Sequence, residues 1–292
     1  MARGVKTFGA LMMLGCLAPT GAAQAAQQVQ QVQQVTISGY SGTAMESFVS
    51  RDGRYLLFNN SNDPRSNTDL FYALRKNDLE YVFKGPVRGI NTPALEGAPT
   101  LDRTGTLYFV STRSYAQTSC TIYSAQFRAG GVSTPRLVDS ICLHQPGVVN
   151  FDVDITPDGE VLTFVDSQFG PDGQPQTAQL VMANRQDTGF VRLKNSAALL
   201  AQVNTGRLQY APALSANHLE LWFTRADPAS SGGRPQIWHA QRSSPTAPFG
   251  APTRLEGLGD FVEGPALSAN EKCLYFHRKV GSSFRIFTVL LN

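Results

Sequence analysis

The chain has 292 residues, of which only 16% are charged, and a formal net charge of +3. A balance so small and so scattered argues against a nucleic-acid partner, and no apolar run reaches the ~18 residues that a membrane span needs. The 26 Gly and 17 Pro, with 17 Phe and 9 Tyr, suit many short strands joined by turns.

The amino terminus reads as a processing segment. Arg3 and Lys6 give a positive start, "FGALMMLGCLAP" an apolar stretch, and "AQA" at Ala23–Ala25 a small-residue cleavage site. Residues 1–25 are therefore expected to be a signal peptide, and the mature chain periplasmic or secreted. Acylation at Cys16 of "MLGC" is the rival, but Met13 is a poor residue three places before a lipidated cysteine. Residues 26–34 form a Gln-rich tract without charge, expected to be a flexible linker. Pairing of some of its Val and Gln along a sheet edge is the alternative.

Residues 35–292 carry an internal repeat. Five segments align without a gap from a small polar residue to a leucine: "SRDGRYL" from Ser50, "LDRTGTL" from Leu101, "TPDGEVL" from Thr156, "SANHLEL" from Ser215 and "SANEKCL" from Ser268. In the second, Leu101 stands where the polar residue is expected. Each copy follows an alternating stretch and continues into an apolar or aromatic run, which is a hairpin signal. The leucines Leu56, Leu107, Leu162, Leu221 and Leu274 are 51, 55, 59 and 53 residues apart. A period near 50 belongs to propellers and solenoids. A third strand follows in every copy: "DLFYAL", "TIYSAQ", "AQLVMA", "QIWHAQ" and "RIFTVL". A weaker fourth follows four of them: "PVRGI", "PRLVDSI", "FVRL" and "PTRLEGL". Four strands per period make one propeller blade. The fifth copy lacks its fourth strand, and Val35–Ser41 is placed to supply it and close the ring. The expected fold is all-β, a single five-bladed propeller of four-stranded blades.

The motif, as in "EGPALSAN" followed by "LYF" and "IF" near the end of the chain, resembles the WD-repeat-like motif of the TolB-type propeller family. The resemblance covers about residues 34–292. It implies a propeller, but the same repeat serves transport accessories, peptidase propellers and sugar lyases. Five copies are counted where TolB has six blades, and no separate N-terminal α/β domain precedes them.

Cys120 and Cys142 lie at near-mirrored positions about the turn "RAGG" and are expected to form a disulfide. Cys273 is left as a buried, inert thiol. No C-x-x-C or His-x-x-x-His spacing supports a structural zinc site, and no P-loop, G-x-S-x-G or H-E-x-x-H is present. His144, His218, His239 and His277 are scattered and read as structural. Neither a metal nor a cofactor is implied.

Chemistry is therefore sought at the channel mouth, where the first strands of the blades begin. Glu46, Glu96, Asp152, Tyr210 and Glu263 occupy those starts, an acidic density unusual in so sparsely charged a chain. Arg113, Arg225 and Arg278 follow their second strands on the same face and are the internal partners those acids could use. The leading expectation is a monomeric, non-enzymatic propeller that binds a protein or envelope polymer at this mouth and its loops. The alternative is a carbohydrate-active enzyme, hydrolase or lyase, with Glu96 and Glu263 as acid/base carboxylates. The intact mass of the exported protein should show loss of about the first 25 residues. A lipid adduct on Cys16 would establish the anchored form instead.

Overall fold

A computed structural model describes residues 27, 28, 31–63, 65–226 and 232–291. The expected cleavage near Ala25 and the alternative at Cys16 lie outside the described residues. Three short strands open the chain: β1 (Gln27–Gln28), β2 (Gln33–Gln34) and β3 (Thr36–Ser38). The first repeat is β4 (Met45–Val49), β5 (Tyr55–Asn59), β6 (Leu70–Arg75) and β7 (Glu80–Pro86). The second is β8 (Glu96–Leu101), β9 (Thr106–Ser111) and β10 (Ile122–Arg128), with short β11 (Gly131–Val132) and β12 (Arg136–Leu137) at its outer edge. In the third, β13 (Val148–Val149) and β14 (Val153–Ile155) share one partner, β15 (Val161–Phe169), before β16 (Pro175–Gln186) and β17 (Gly189–Arg192). The fourth is β18 (Leu208–Leu214), β19 (Glu220–Ala226), β20 (Gln236–Gln241) and β21 (Thr253–Glu256). The fifth is β22 (Val262–Leu267), β23 (Cys273–Val280) and β24 (Ser283–Leu290). Within each repeat, consecutive strands pair antiparallel.

The recurring polar residue explains the first hairpin of each repeat. Ser50, Thr156, Ser215 and Ser268 each donate their hydroxyl to an Asp or Asn two residues on, at 2.6–2.8 Å. Each also accepts the amide five residues on, at 2.9–3.0 Å. The Asp or Asn in turn accepts the amide two residues beyond itself. Side chains thus satisfy the turn amides that the ladder leaves over. In the second repeat the polar residue is not lost. Asp102, one position later, accepts the amides of Thr104 and Thr106 at 2.8 and 2.9 Å, in a turn one residue shorter.

Apolar residues on both faces of each sheet are buried, because every sheet packs against two others. One cluster joins Phe48, Leu57 and Leu70 of the first repeat to Leu107, Phe109 and Tyr123 of the second. Similar clusters join second to third, third to fourth and fourth to fifth. A further cluster joins Ala266, Tyr275 and Ile286 of the fifth to Val49, Leu56 and Phe58 of the first. Neighbouring Leu56 and Leu57 thus serve different cores, as the two-residue period of a strand requires.

Two expected strands are displaced. The outer strand of the first repeat is β7, upstream of "PVRGI", because a tight turn returns the chain at once, with Lys76 N–H donating to Glu80 O at 2.9 Å. The segment that pairs with the fifth repeat begins upstream of the expected Val35–Ser41 and overlaps it at Val35. Gln33 and Gln34 pair antiparallel with Thr288 and Phe287, and Val35 N–H donates to Ile286 O at 2.9 Å. Thr36–Ser38 instead runs parallel to β7 of the first repeat. The end of the Gln-rich tract is therefore a sheet edge rather than a linker, bridging last repeat and first. A chain beginning at Thr36 should melt in one transition at least ~2 °C lower, the shift that about 1 kcal/mol gives in a domain of this size. An unchanged midpoint would show that this pairing adds nothing to the fold.

Candidate functional site

The mouth is built by an irregularity common to the five first strands. Glu46, Ala98, Asp152, Ala211 and Gly264 all have left-handed backbone, with φ of 44°, 47°, 53°, 48° and 65°. Four lie at register shifts of their hairpins, and Asp152 lies in the break between β13 and β14. Such bulges re-aim side chains. Two of the five positions carry carboxylates and three carry the smallest side chains. At Gly264 this is a packing demand, since a Cβ there would stand 2.8 Å from both Glu46 Oε2 and His277 Nδ1.

Around these positions Glu46, Asp152, Tyr210 and Glu263 come together with His277. Glu263 Oε1 accepts the Tyr210 hydroxyl at 2.5 Å, and its Oε2 is 3.2 Å from His277 Nε2. His277 Nε2 is also 3.9 Å from Glu46 Oε1, which accepts Asn62 Nδ2–H at 2.8 Å. His277 Nδ1 accepts the Glu46 amide at 3.2 Å, so the neutral ring carries its proton on Nε2, facing Glu263. Asp152 Oδ2 accepts the Ala211 amide at 3.0 Å. Glu46 and Asp152 are each only 8% exposed, and His277 is fully buried.

Burial and the facing carboxylates set the protonation. Burial, with the Glu46 and Glu263 charges adding, holds Asp152 well above the ordinary carboxylate range. Burial also lifts Glu46, against the opposing pull of His277. Tyr210 is pushed up by burial and by Glu263. For His277 burial pulls down, but Glu46 and Glu263 outweigh it and the net direction is up.

Glu96 does not join this cluster. It is fully buried within its own sheet, where Oε1 accepts Ser111 Oγ–H at 2.7 Å, Thr92 Oγ1–H at 2.8 Å and Arg113 Nη2–H at 3.2 Å. Its Oε2 accepts the Thr92 amide at 2.7 Å. The shorter Asp102 turn accounts for the difference. Counted from the left-handed residue, Glu96 stands two places upstream, whereas Tyr210 and Glu263 stand one upstream and Glu46 and Asp152 on it.

The arginines hold connectors. Arg113 donates to Ile90 O at 2.5 Å, Arg225 to Val203 O at 2.8 Å and Arg278 to Leu258 O at 2.9 Å. Each guanidinium also lies over a ring of its own sheet, Tyr123, Trp238 or Phe287. Arg113 also pairs with an expected site acid, Glu96, at 3.2 Å. The basic group within the cluster is His277, which the sequence presents only as a lone histidine. Its signal was a polar residue closing an apolar second strand, "CLYFHR", in register with Asn59 and Thr224.

Beneath the cluster lies an axial cavity of about 30 Å³, lined by Glu46, Ser47, Thr100, Asp152 and Asp154 among others. Ser47 Oγ is buried there without a hydrogen-bond partner among the described residues. Around the cluster stand half-buried rings. Phe151 lies between Phe169 and Tyr210, with centroids at 6.1 and 5.9 Å, and Phe284 between His277 and Phe261, at 5.3 and 5.7 Å.

No family model and no curated protein matches the chain. Solved structures do. The chain is similar to an α-L-arabinofuranosidase from Podospora anserina at 10% identity and a TM-score of 0.57, covering 91% of this chain and 96% of that one. It is similar to an arabinanase from Bacillus subtilis at 14% and 0.54, covering 86% and 95%. A protein described as TolB from Agrobacterium tumefaciens matches at 14% and 0.51, covering 88% and 83%. The chain spans 54% of the length of a TolB from Acinetobacter baumannii, at a TM-score of 0.46. The fold is a β-propeller. At such identities the likeness extends to fold alone, and the propeller is shared by proteins of both kinds.

The raised carboxyls of the propeller mouth have a measurable consequence. A carboxyl whose folded value lies above its unfolded value binds its proton more tightly when folded, so stability falls as pH rises through that interval. For Asp152 the interval begins at 3.8 and extends upward. Melting temperature should therefore decline as pH rises above about 3.8, and Asp152→Asn, permanently neutral, should flatten the decline. An equal slope in the variant would remove Asp152 from the account.

Proposed function

We propose that this chain is an exported, five-bladed propeller, its ring closed where Gln33–Val35 pairs with β24, that binds rather than hydrolyses. Its mouth takes a cationic group, the ammonium of a lysine-bearing protein or of a basic envelope polymer. The observation that carries this reading is the imbalance of charge. Glu46 and Glu263 face one imidazole, and the charge of each also bears on Asp152 beside them. Carboxylates in such proximity are stable only when protonated or when a cation joins them. The cavity of about 30 Å³ is suited to a group the size of water or ammonium, whereas sites that enclose sugar rings run to hundreds of Å³. The rim suits a cation as well, for aromatic faces attract ammonium groups, and Lys279 Nζ already lies 5.6 Å above Phe261.

The second reading is a carbohydrate-active enzyme, favoured by the likeness to glycoside-hydrolase propellers and by carboxyls raised toward a general-acid range. Its acid/base candidates would be Glu46, Asp152 and Glu263; the pair Glu96 and Glu263 does not serve, because Glu96 is committed to Arg113 and Thr92.

Titration calorimetry with a lysine-rich peptide and a glutamate-rich control separates the two. The lysine peptide should bind, and Glu263→Gln should weaken it about tenfold, a loss of ~1.4 kcal/mol, with the fold retained. Release of reducing sugar from arabinan by the native chain, abolished in Glu263→Gln, would instead establish the enzyme.

A further inference from the structure

At the outer edge of the second repeat, Cys120 and Cys142 form the disulfide that the hairpin register led us to expect, with Cα atoms 5.7 Å apart. Cys120 follows a single helical turn, Tyr115–Thr118, and Cys142 follows a 3-10 turn, Asp139–Ile141. Two further donors crowd the same sulfur. Asp139 Oδ1 is 3.8 Å from Cys120 Sγ, and His144 Nδ1 is 3.7 Å from it. His144 Nε2 lies 3.7 Å from Asp139 Oδ1. One donor atom from each of the three residues lies within 4.8 Å of the others, and Cys142 Sγ, bonded to Cys120, brings a fourth to the same point.

We propose that the dithiol form of this cluster is a tetrahedral site for a divalent transition ion of the zinc class, with ligands Cys120, Cys142, Asp139 and His144, and that the disulfide is its metal-free, oxidised state. This inference is independent of the channel mouth. Asp139 Oδ1, 3.8 Å from Cys120 Sγ and 3.7 Å from His144 Nε2, fits the chemistry, since ligands bound to tetrahedral zinc at ~2.0 Å (N, O) and ~2.3 Å (S) stand roughly 3.3–3.8 Å from one another. The histidine is prepared for the role. Its Nδ1–H donates to Thr118 O at 3.0 Å, which orients the ring and leaves the Nε2 lone pair for the metal. The side chains of His144 and Asp139 are 52% and 64% exposed, so an ion reaches them from solvent. A scan for paired cysteines or histidines at short spacing misses the set, because the hairpin brings Cys120 to the other three.

The conversion balances. A dithiol reductant gives two electrons and two protons to the Cys120–Cys142 bond and leaves as its own disulfide. The ion then displaces both thiol protons as two metal–sulfur bonds form. Oxidation of the cluster by a disulfide returns those two electrons and releases the ion.

The test is a Co²⁺ titration of the mature chain, reduced and then freed of reductant, carrying Cys273→Ser to remove the remaining thiol. One equivalent should produce thiolate-to-cobalt charge-transfer absorption and the visible bands of a tetrahedral site, and Zn²⁺ should bleach them. The oxidised chain should show neither. Cys142→Ser should lose most of the thiolate absorption, and His144→Ala should weaken binding at least about tenfold. Absence of the thiolate bands, bands that persist in a Cys120→Ser Cys142→Ser chain, or loss of strand circular dichroism on reduction that the ion does not restore would each overturn the proposal.

Discussion

A left-handed residue in each first strand turns its amide away from the ladder, and a buried amide must find another acceptor. Four of the five repeats answer this with a side-chain acceptor. Asn59 Oδ1 accepts the Ala98 amide at 3.3 Å, Thr224 Oγ1 the Gly264 amide at 3.1 Å, Asp152 Oδ2 the Ala211 amide at 3.0 Å and His277 Nδ1 the Glu46 amide at 3.2 Å. In every case the acceptor belongs to the preceding repeat. One backbone irregularity thus draws polar side chains toward the axis and, at four of the five junctions, ties one repeat to the next through them. The bond from the Glu46 amide to His277 runs from the first repeat to the last, across the junction that the apolar cluster of Leu56, Phe58 and Tyr275 also spans.

The same constraint separates two kinds of buried acid. Glu96 receives four hydrogen bonds, one from a guanidinium, and its charge is met within its own sheet. An acid of that kind is an internal cap. Glu46, Asp152 and Glu263 are held by an amide, an amide side chain, a phenol and one imidazole. Protonating His277 would add a charge but would forfeit its acceptor role toward the Glu46 amide. The cluster cannot neutralise itself without loosening a contact between repeats, and a cation or proton from outside relieves it at no such cost.

The repeat was legible because turn chemistry and strand period are local. Ser215, Asn217 and Leu221 announce their hairpin without reference to the rest of the chain. What the gapless alignment concealed was one residue of length in the second turn. Treating Leu101 as a lost polar residue, in place of Asp102, slid Glu96 into register with Tyr210 and Glu263 and made it a mouth acid. A shift of one residue in a strand reverses the face of every side chain. Gln33 and Gln34 look like linker in the sequence because an uncharged Gln tract has no period, and only the edge of β24 gives it a place. His277 and His144 are illegible in the sequence for a different reason. A lone histidine is ordinarily structural, as His239 is, stacked on Trp222 at 4.6 Å and bonded to Glu220; what distinguishes the other two is company assembled by tertiary contacts.

The other end of the axis limits what the mouth can do. Arg51, in the first turn, reaches inward with its side chain 7% exposed and donates to Leu101 O at 3.1 Å and Ile155 O at 2.8 Å. Its guanidinium lies 3.8 Å from Asp154 Oδ1 and over the ring of Phe48. Asp154 also accepts the Thr100 hydroxyl at 3.0 Å and the Leu214 amide at 2.8 Å. Carbonyls from two further repeats and a carboxylate thus fix a cation in that end of the channel, where burial pulls the guanidinium down and Asp154 supports its charge. The axis is therefore polarised, with a resident cation at one end and surplus carboxylates at the other. A cationic group at the mouth would face carboxylates there and the Arg51 guanidinium further along the axis. On the proposed reading, that arrangement favours a single ammonium held at the rim, among the carboxylates and the rings of Phe151, Phe169, Tyr210, Phe261 and Phe284, over a chain threaded through the channel.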